Sequence, residues 1–148
     1  MSVAPPDRVT MMPIVMAALL AEGATPVGDP DAVGTARIVA AYEGRVAGIV
    51  VAKEAFGRMG ARCRPLVEDG ATVTSGTTVA ELGGPLGAIQ GAAPTALRFL
   101  AHLSAVAAGT DVPARGDPLD AWAAALARLS PPGPVGDDSP SFRLEIEG

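Results

Sequence analysis

The sequence predicts an α+β fold in which helices pack on a small, open-faced antiparallel sheet. Three observations support this prediction. Two runs rich in β-branched residues, 35–42 and 45–52, indicate strands. Residues 94–108 carry apolar side chains at helical spacing, and residues 142–146 alternate apolar with charged side chains. Paired strands and amphipathic helices in one short chain are typical of an α/β sandwich.

The composition allows one folded domain and excludes several kinds of partner. The chain has 148 residues, of which 49% are hydrophobic, and this suffices for a single buried core. Its net charge is −5 and Lys53 is its only lysine, so no nucleic-acid partner is expected. Cys63 and His102 are the only residues of their types, so no disulfide, metal or cofactor is expected. A reducing cytoplasm fits this cysteine usage best.

The amino terminus predicts a short core helix after a flexible lead-in. Residues 1–10 lack periodicity and contain two adjacent prolines, so they are expected to be flexible. Pro13 then starts a helix that runs to about Glu22, with Gly23 as the stop. The apolar run 11–21 is far shorter than the ~20 residues that cross a bilayer, so no membrane span is expected. A secretory signal is the less favoured alternative.

The middle of the chain predicts a hairpin followed by a helix. The runs 35–42 and 45–52 are separated by Glu-Gly at 43–44, which suits a two-residue hairpin turn because glycine tolerates positive φ. Residues 53–60 then predict a helix that turns Phe56 and Met59 toward the core.

Residues 68–82 predict short strands joined by tight turns at 69–70 and 75–76, because β-branched residues alternate around Asp-Gly and Ser-Gly. The following Gly-Gly-Pro-Leu-Gly at 83–87 lacks the Gly-Lys-Ser/Thr ending of a phosphate-binding loop. A tight turn explains it better.

The helix predicted at 94–108 carries the best candidate site. Thr95, Arg98 and His102 lie together on the face opposite its core side. Arg98 and His102 could together hold a carboxylate. A solvated face or a protein-docking surface is favoured, because no second anion clamp lies nearby in sequence, and no catalytic residue is assigned. The expected core side consists of Ala96, Leu100, Leu103 and Ala107.

The carboxy-terminal part predicts a further helix and a last strand. Residues 117–129 start with Asp-Pro, an N-cap followed by proline, and place Trp122 among apolar side chains as a core residue. The main domain therefore spans 11–130 with this helix added. Residues 131–141 form a linker rich in proline and glycine, and residues 142–148 form a strand whose glutamates face solvent.

Three other side chains have both a structural and a functional explanation. Cys63 lies between Arg62 and Arg64, which could lower the pKa of its thiol, but no base accompanies it and a half-buried structural thiol is favoured. Asp29 and Asp31 lie in a polar loop, where turn formation and capping explain them without a metal ion.

Several motifs carry a family resemblance. They are Ala-Arg-Ile-Val-Ala at 36–40, Gly-x-x-Ala-Gly at 44–48, Asp-Gly-x-x-Val-x-x-Gly at 69–76, and Thr-Ala-Leu-Arg-Phe-Leu-Ala-His-Leu-Ser at 95–104. Together they resemble the amino-terminal domain of the quinolinate phosphoribosyltransferases (nicotinate-nucleotide pyrophosphorylases). The ending at 138–147 is similar to the segment that, in those enzymes, leaves the catalytic barrel and returns to the amino-terminal sheet. Biotinyl and lipoyl carrier domains share the 69–76 framework, which implies a barrel-sandwich-like sheet, but they need a modifiable lysine that this segment lacks.

The chain differs from that family at the positions that bind substrate in the family. Ala93 and Pro94 stand where the family carries a Glu-Arg pair. In the family, that arginine reaches into the neighbouring subunit's active site to hold anionic substrate, whereas a proline offers neither charge nor donor. The family's other substrate-binding residues sit on a barrel, and no segment of this chain resembles that barrel.

These features leave three functional hypotheses open. The favoured one is a stand-alone homologue of the amino-terminal domain that is non-catalytic alone and acts by association, as a homodimer or with a separate protein. The second is an accessory subunit of a split quinolinate phosphoribosyltransferase in NAD biosynthesis, with the barrel on another polypeptide. The third is a small-molecule binding module, with an unknown ligand in a pocket under the open sheet.

Overall fold

The computed structural model describes residues 7–23, 25, 28, 31–108, 118–129 and 141–147. In this part of the chain helices and strands are interspersed. They are α1 (Arg8–Ala21), β1 (Val33–Ala40), β2 (Gly44–Arg45), α2 (Ile49–Arg58), β3 (Arg62–Pro65), β4 (Thr72–Val73), β5 (Thr78–Pro85), α3 (Leu86–Ala107), α4 (Pro118–Leu129) and β6 (Phe142–Glu147).

The main sheet has four strands in the order β3-β5-β1-β6, and all neighbours are antiparallel. Strands β2 and β4 form a separate short pair. Helices α2 and α3 cover one face of the main sheet, and the core between them includes Ile38, Val79 and Leu82. The strands of the described ranges do not close into a barrel, so the predicted α+β fold with an open antiparallel sheet is confirmed.

The other face of the sheet is a row of alternating charges. Arg64, Glu81, Arg37 and Glu145 lie opposite one another on the four successive strands. Arg37 pairs with Glu145 at 2.8 Å, and Arg64 pairs with Glu81. Such partly exposed pairs contribute little stability each, but they show that this face is solvated, as expected for Glu145.

The predicted hairpin is wrong, because the runs 35–42 and 45–52 do not pair with each other and β2 pairs with β4 instead. Residues 49–52 do not pair with β1 but form the first turn of α2, and β1 pairs instead with β5 and β6. The reason is tertiary. Gly48 adopts φ +102° and ends the preceding segment, and the Asp69 carboxylate accepts hydrogen bonds from the backbone N–H groups of Ile49 (2.8 Å) and Val50 (3.3 Å). A cap supplied from a distant turn therefore overrides the strand preference of the β-branched residues.

Two predicted helix starts are also wrong. In both cases the proline that is expected to start the helix lies inside it. Helix α1 begins at Arg8, not Pro13, because the Asp7 side chain accepts a hydrogen bond from the backbone N–H of Thr10 and caps it. Residues 8–10 are thus helical, not part of a flexible lead-in. Helix α3 begins at Leu86, well before Pro94.

Other element predictions are confirmed. The four side chains expected on the core side of α3 are buried, and Phe56 is buried on α2. Trp122 is a core residue of α4, and turns occur at 69–70 and 75–76. A strand forms from Phe142 and lies beside β1. The N-cap expected at Asp117 and the linker expected at 131–140 lie outside the described residues.

Buried polar contacts join α3 and α4 to residues 45–47, which comprise the end of β2 and the start of the loop before α2. Arg45, only 8% exposed, donates hydrogen bonds to the carbonyl oxygens of Leu126 (2.7 Å) and Ala107 (3.4 Å), near the carboxyl ends of α4 and α3. Ser104 is fully buried, accepts a hydrogen bond from the backbone N–H of Ala47 and donates one to its carbonyl oxygen. These contacts fix the loop against both helices.

The two aspartates that cap helices differ in environment. Burial raises the pKa of Asp69 above its ordinary value of 3.8, although backbone amides donate to it. Hydrogen bonds from Thr10 lower the pKa of the exposed Asp7. A raised folded-state pKa gives stability that is present below pH 3.8 and lost as pH rises through the folded pKa. A lowered pKa gives stability that is present above pH 3.8 and lost as pH falls through the folded pKa.

We therefore expect Asp69→Asn and Asp7→Asn to change the pH dependence of stability in opposite directions. The measurement is urea unfolding from pH 3 to pH 7, with the free energy of unfolding of the variant subtracted from that of the wild type. The difference should fall with rising pH for Asp69→Asn and rise with pH for Asp7→Asn. Parallel curves for the two variants would contradict the environments described for them.

In the described part of the chain, no helix combines the length and the apolar character that crossing a membrane requires.

Candidate functional site

The three predicted site residues line one cleft between α1 and α3. The cleft has a volume of about 300 Å³, and its walls are mostly apolar. Thr95, Arg98 and His102 project into it from α3. The remaining lining residues are Ala18, Ala21, Glu22 and Phe99. The structure thus brings the three side chains to one cleft.

Glu22, the residue that follows α1, contacts both Thr95 and Arg98 and so connects α3 to the end of α1. One oxygen of its carboxylate accepts a hydrogen bond from the Thr95 hydroxyl, and the other lies 2.7 Å from Nη1 of Arg98. Thr95 is buried, contrary to the prediction that its face is available, because Glu22 covers it. The Arg98 side chain remains 73% exposed.

His102 has its own carboxylate partner. Its Nε2 lies 2.8 Å from Oδ1 of Asp120, in the first turn of α4. The Asp120 side chain is 7% exposed and that of His102 is 19% exposed, so the pair is largely shielded from water. It therefore links α3 to α4 at one end of the cleft.

A smaller cleft of about 190 Å³ adjoins the first and is lined by Pro94 and Thr95 of α3. Here the chain after α1 crosses α3 closely, and a Cβ atom at Gly91 would lie 2.2 Å from the carbonyl oxygen of Thr25. Only glycine permits this approach. Pro94 is exposed beside it, where it presents a ring without charge or hydrogen-bond donor.

The cleft holds no surplus of positive charge. Glu22 neutralises Arg98, and Asp120 bonds His102, so an incoming carboxylate would have to displace an internal one. Phosphoribosyl transfer requires cations that stabilise a departing pyrophosphate, and these side chains are already committed to internal partners. Among the described residues, no three His, Cys, Asp or Glu side chains form a group that could hold a metal ion.

The other sequence candidates lie away from the cleft lining. Cys63 is half-buried on β3, and burial raises the pKa of its thiol to about 11, which disfavours the reactive thiolate. Asp31 is exposed before β1, and Asp29 lies outside the described residues. The Gly-Gly-Pro segment at 83–85 completes β5 and leads directly into α3, so it is not the isolated tight turn that was expected.

Sequence reasoning missed both carboxylates of the cleft. Glu22 follows a helix whose sequence pattern predicts only a core role, and Asp120 lies in the first turn of α4, where an acidic residue is already explained by the helix dipole. Their partners are 73 and 18 residues away. Spacing within a single helix carries no signal for such contacts.

Residues 14–104, more than half of the chain, match the family model described as the quinolinate phosphoribosyl transferase N-terminal domain. No curated protein sequence matches the chain.

Solved structures share the fold at low sequence identity. The nicotinate-nucleotide pyrophosphorylase of Francisella tularensis aligns with 22% identity and a TM-score of 0.62 over 72% of this chain and 41% of its own. NadC of Streptococcus pyogenes aligns with 23% identity and a TM-score of 0.64 over 70% of this chain and 40% of its own. The corresponding enzyme of Ehrlichia chaffeensis aligns with 15% identity and a TM-score of 0.55 over 68% of this chain and 40% of its own. The chain thus spans about 40% of the length of these structures.

Proposed function

This chain belongs to the quinolinate phosphoribosyl transferase N-terminal domain family, and we propose that it is a homologue of that domain which is non-catalytic alone and acts by association. The partner is a second copy or a separate protein. The chain retains the scaffold of this domain but lacks the Glu-Arg pair that the family carries at positions 93 and 94.

One observation carries the proposal. At the positions of the family's Glu-Arg pair, α3 has Ala93, which is buried, and Pro94, which is exposed. The helix is therefore formed and its surface is accessible, but it offers no guanidinium at that point. Arg98, one turn further along, does not replace it, because its guanidinium pairs with Glu22.

Association is supported by exposed apolar side chains. Val9 is 79% exposed and Leu20 is 77% exposed, and both lie on α1. Large apolar side chains that share one surface mark interaction sites, whereas isolated ones need no explanation.

The direct test is a pair of measurements on the purified chain. With quinolinate and phosphoribosyl pyrophosphate, we expect no pyrophosphate release from the wild type or from Pro94→Arg, which restores the guanidinium. Light scattering after size-exclusion chromatography and a pull-down from native extract then test association. Formation of nicotinate mononucleotide by the chain alone would contradict the non-catalytic assignment, and a strict monomer that captures nothing would contradict association.

A second candidate is the accessory subunit of a split phosphoribosyltransferase. It is supported by the shared fold of the solved enzymes, of which the chain aligns with 40–41%, and it requires a catalytic barrel supplied by another polypeptide. Mixing the chain with a separately expressed barrel should then raise pyrophosphate release above that of the barrel alone, and Pro94→Arg should raise it further. Equal activity with and without the chain would exclude this candidate.

A small-molecule binding module is a third candidate, supported by the cleft between α1 and α3 and not by the expected pocket under the sheet, since the cleft volume of about 300 Å³ is at the lower end for ligand pockets. Thermal unfolding in the presence of pyridine carboxylates and nucleotides tests it. A ligand at 100 times its dissociation constant stabilises by about 2.7 kcal/mol, so the absence of any shift would exclude these ligands.

A further inference from the structure

Helix α1 is apolar on both sides, although only one side faces the core. Met11, Val15 and Leu19 are buried where α1 packs on α2 and α3. The side facing away carries Val9 (79% exposed), Pro13, Met16 (39% exposed) and Leu20 (77% exposed), which we call the α1 stripe. A helix that is apolar all round is normally covered on every side. The described residues leave the α1 stripe uncovered.

The spacing of the α1 stripe indicates what covers it. Residues 9, 13, 16 and 20 are separated by four, three and four positions, which is the a/d spacing of a helix that packs along another helix. The intervals read the same in both directions. A second α1 in antiparallel orientation therefore places residue 9 opposite residue 20, and residue 13 opposite residue 16. This is the reciprocal contact that a two-fold axis requires.

Charge is compatible with this arrangement. Between Val9 and Ala21 the helix has no charged side chain, so two copies meet there without repulsion, although the whole chain carries a net charge of −5. In the antiparallel orientation the amino end of each helix dipole lies beside the carboxyl end of the other, which is favourable. The α1 stripe has no charged side chain that could pair with the charged surface of a different partner.

We infer that the α1 stripe is a homodimer interface in which two copies of α1 pack antiparallel about a two-fold axis. This inference rests on the proposed function, because it names the surface and the partner through which the chain associates. It extends that proposal by choosing a second copy over a different protein.

The small size of the interface indicates a weak dimer. A helix of 14 residues is about 21 Å long, so one helix pair buries less than the roughly 1,600 Å² of a standard interface. We therefore expect a weak dimer with a dissociation constant on the order of micromolar. Sedimentation velocity between about 1 and 200 μM covers this range.

Substitutions on exposed positions test the surface without disturbing the core. The wild type should pass from monomer to dimer with concentration, whereas Leu20→Glu should remain monomeric throughout because it places two carboxylates in the apolar contact. Val33→Glu is the matched control, since Val33 is exposed to a similar degree (71% against 77% for Leu20) but lies on β1. It should dimerise like the wild type. Equal dimerisation of Leu20→Glu and the wild type would overturn the inference, as would a wild type that stays monomeric at every concentration.

Cysteine cross-linking tests the orientation, in a Cys63→Ser background. Mixed Val9→Cys and Leu20→Cys chains should form disulfide-linked heterodimers under mild oxidation, and neither variant alone should form homodimers efficiently. Efficient homodimers of each single variant would indicate a parallel pair and overturn the antiparallel arrangement. A wild type that stays monomeric but captures a different protein would leave the proposed function standing while overturning this choice of surface and partner.

Discussion

Gly48→Ala is expected to destabilise the protein by about 2–4 kcal/mol. Gly48 has φ +102°, and a side chain in the left-handed region costs about 1–2 kcal/mol. An added Cβ atom would also lie 3.1 Å from Cδ1 of Leu103 and 3.3 Å from the carbonyl oxygen of Phe99, so these neighbours would have to shift by a few tenths of an ångström, at a cost of about 1–2 kcal/mol more. Urea unfolding of the variant measures the sum.

Gly57→Ala is the matched control for this prediction. Gly57 lies in α2, outside the left-handed region, and a Cβ atom there would meet nothing within 4 Å. Alanine should therefore stabilise the helix by about 0.5–1 kcal/mol through its higher helix propensity. Similar losses for both variants would show that α2 tolerates no change at glycine and would contradict the argument from position 48.

The second large effect is expected for Arg45→Met. This substitution removes the guanidinium that donates to the carbonyl oxygens of Ala107 and Leu126, and leaves both buried near helix ends. Hydrogen bonds from a charged donor contribute about 1.5–3 kcal/mol, so we expect a loss of about 2–3 kcal/mol in the free energy of unfolding. Methionine fills a similar volume, which separates the polar loss from a packing defect.

Arg143→Met controls for the loss of an arginine as such. Arg143 is 53% exposed and pairs with Glu145 on the solvated face of the sheet. Exposed pairs contribute about 0–1 kcal/mol, so this variant should differ little from the wild type. A loss at Arg143 as large as that at Arg45 would mean that net charge, not the contact with the helix ends, determines stability.

The sequence predicts the fold well where a local pattern and the tertiary environment agree. The core side of α3 and the alternation from Phe142 to Ile146 are examples, because each has a single apolar face. Residues 49–52 are the counterexample. Their β-branched side chains favour a strand, but the Asp69 cap and Gly48 stabilise a helix, and only the folded chain brings these groups together.

The candidate site is predictable in one respect only. Helical geometry places Thr95, Arg98 and His102 on one face, and the structure brings all three to one cleft. Their electrostatic state depends on Glu22 and Asp120, which arrive from α1 and α4. Whether a cation is available to a ligand is therefore a tertiary property, and the spacing of the cations gives no indication of it.

The pairing of β1 with β6 has a consequence for biosynthesis. Arg37 and Glu145 meet across this pair although 108 residues separate them. Loop closure over such a distance is entropically costly, so this edge of the sheet should form late in folding. Until the ribosome has released residues 142–147, the hydrogen-bonding groups of β1 on that side lack their native strand. The nascent chain is then most exposed to intermolecular pairing and aggregation.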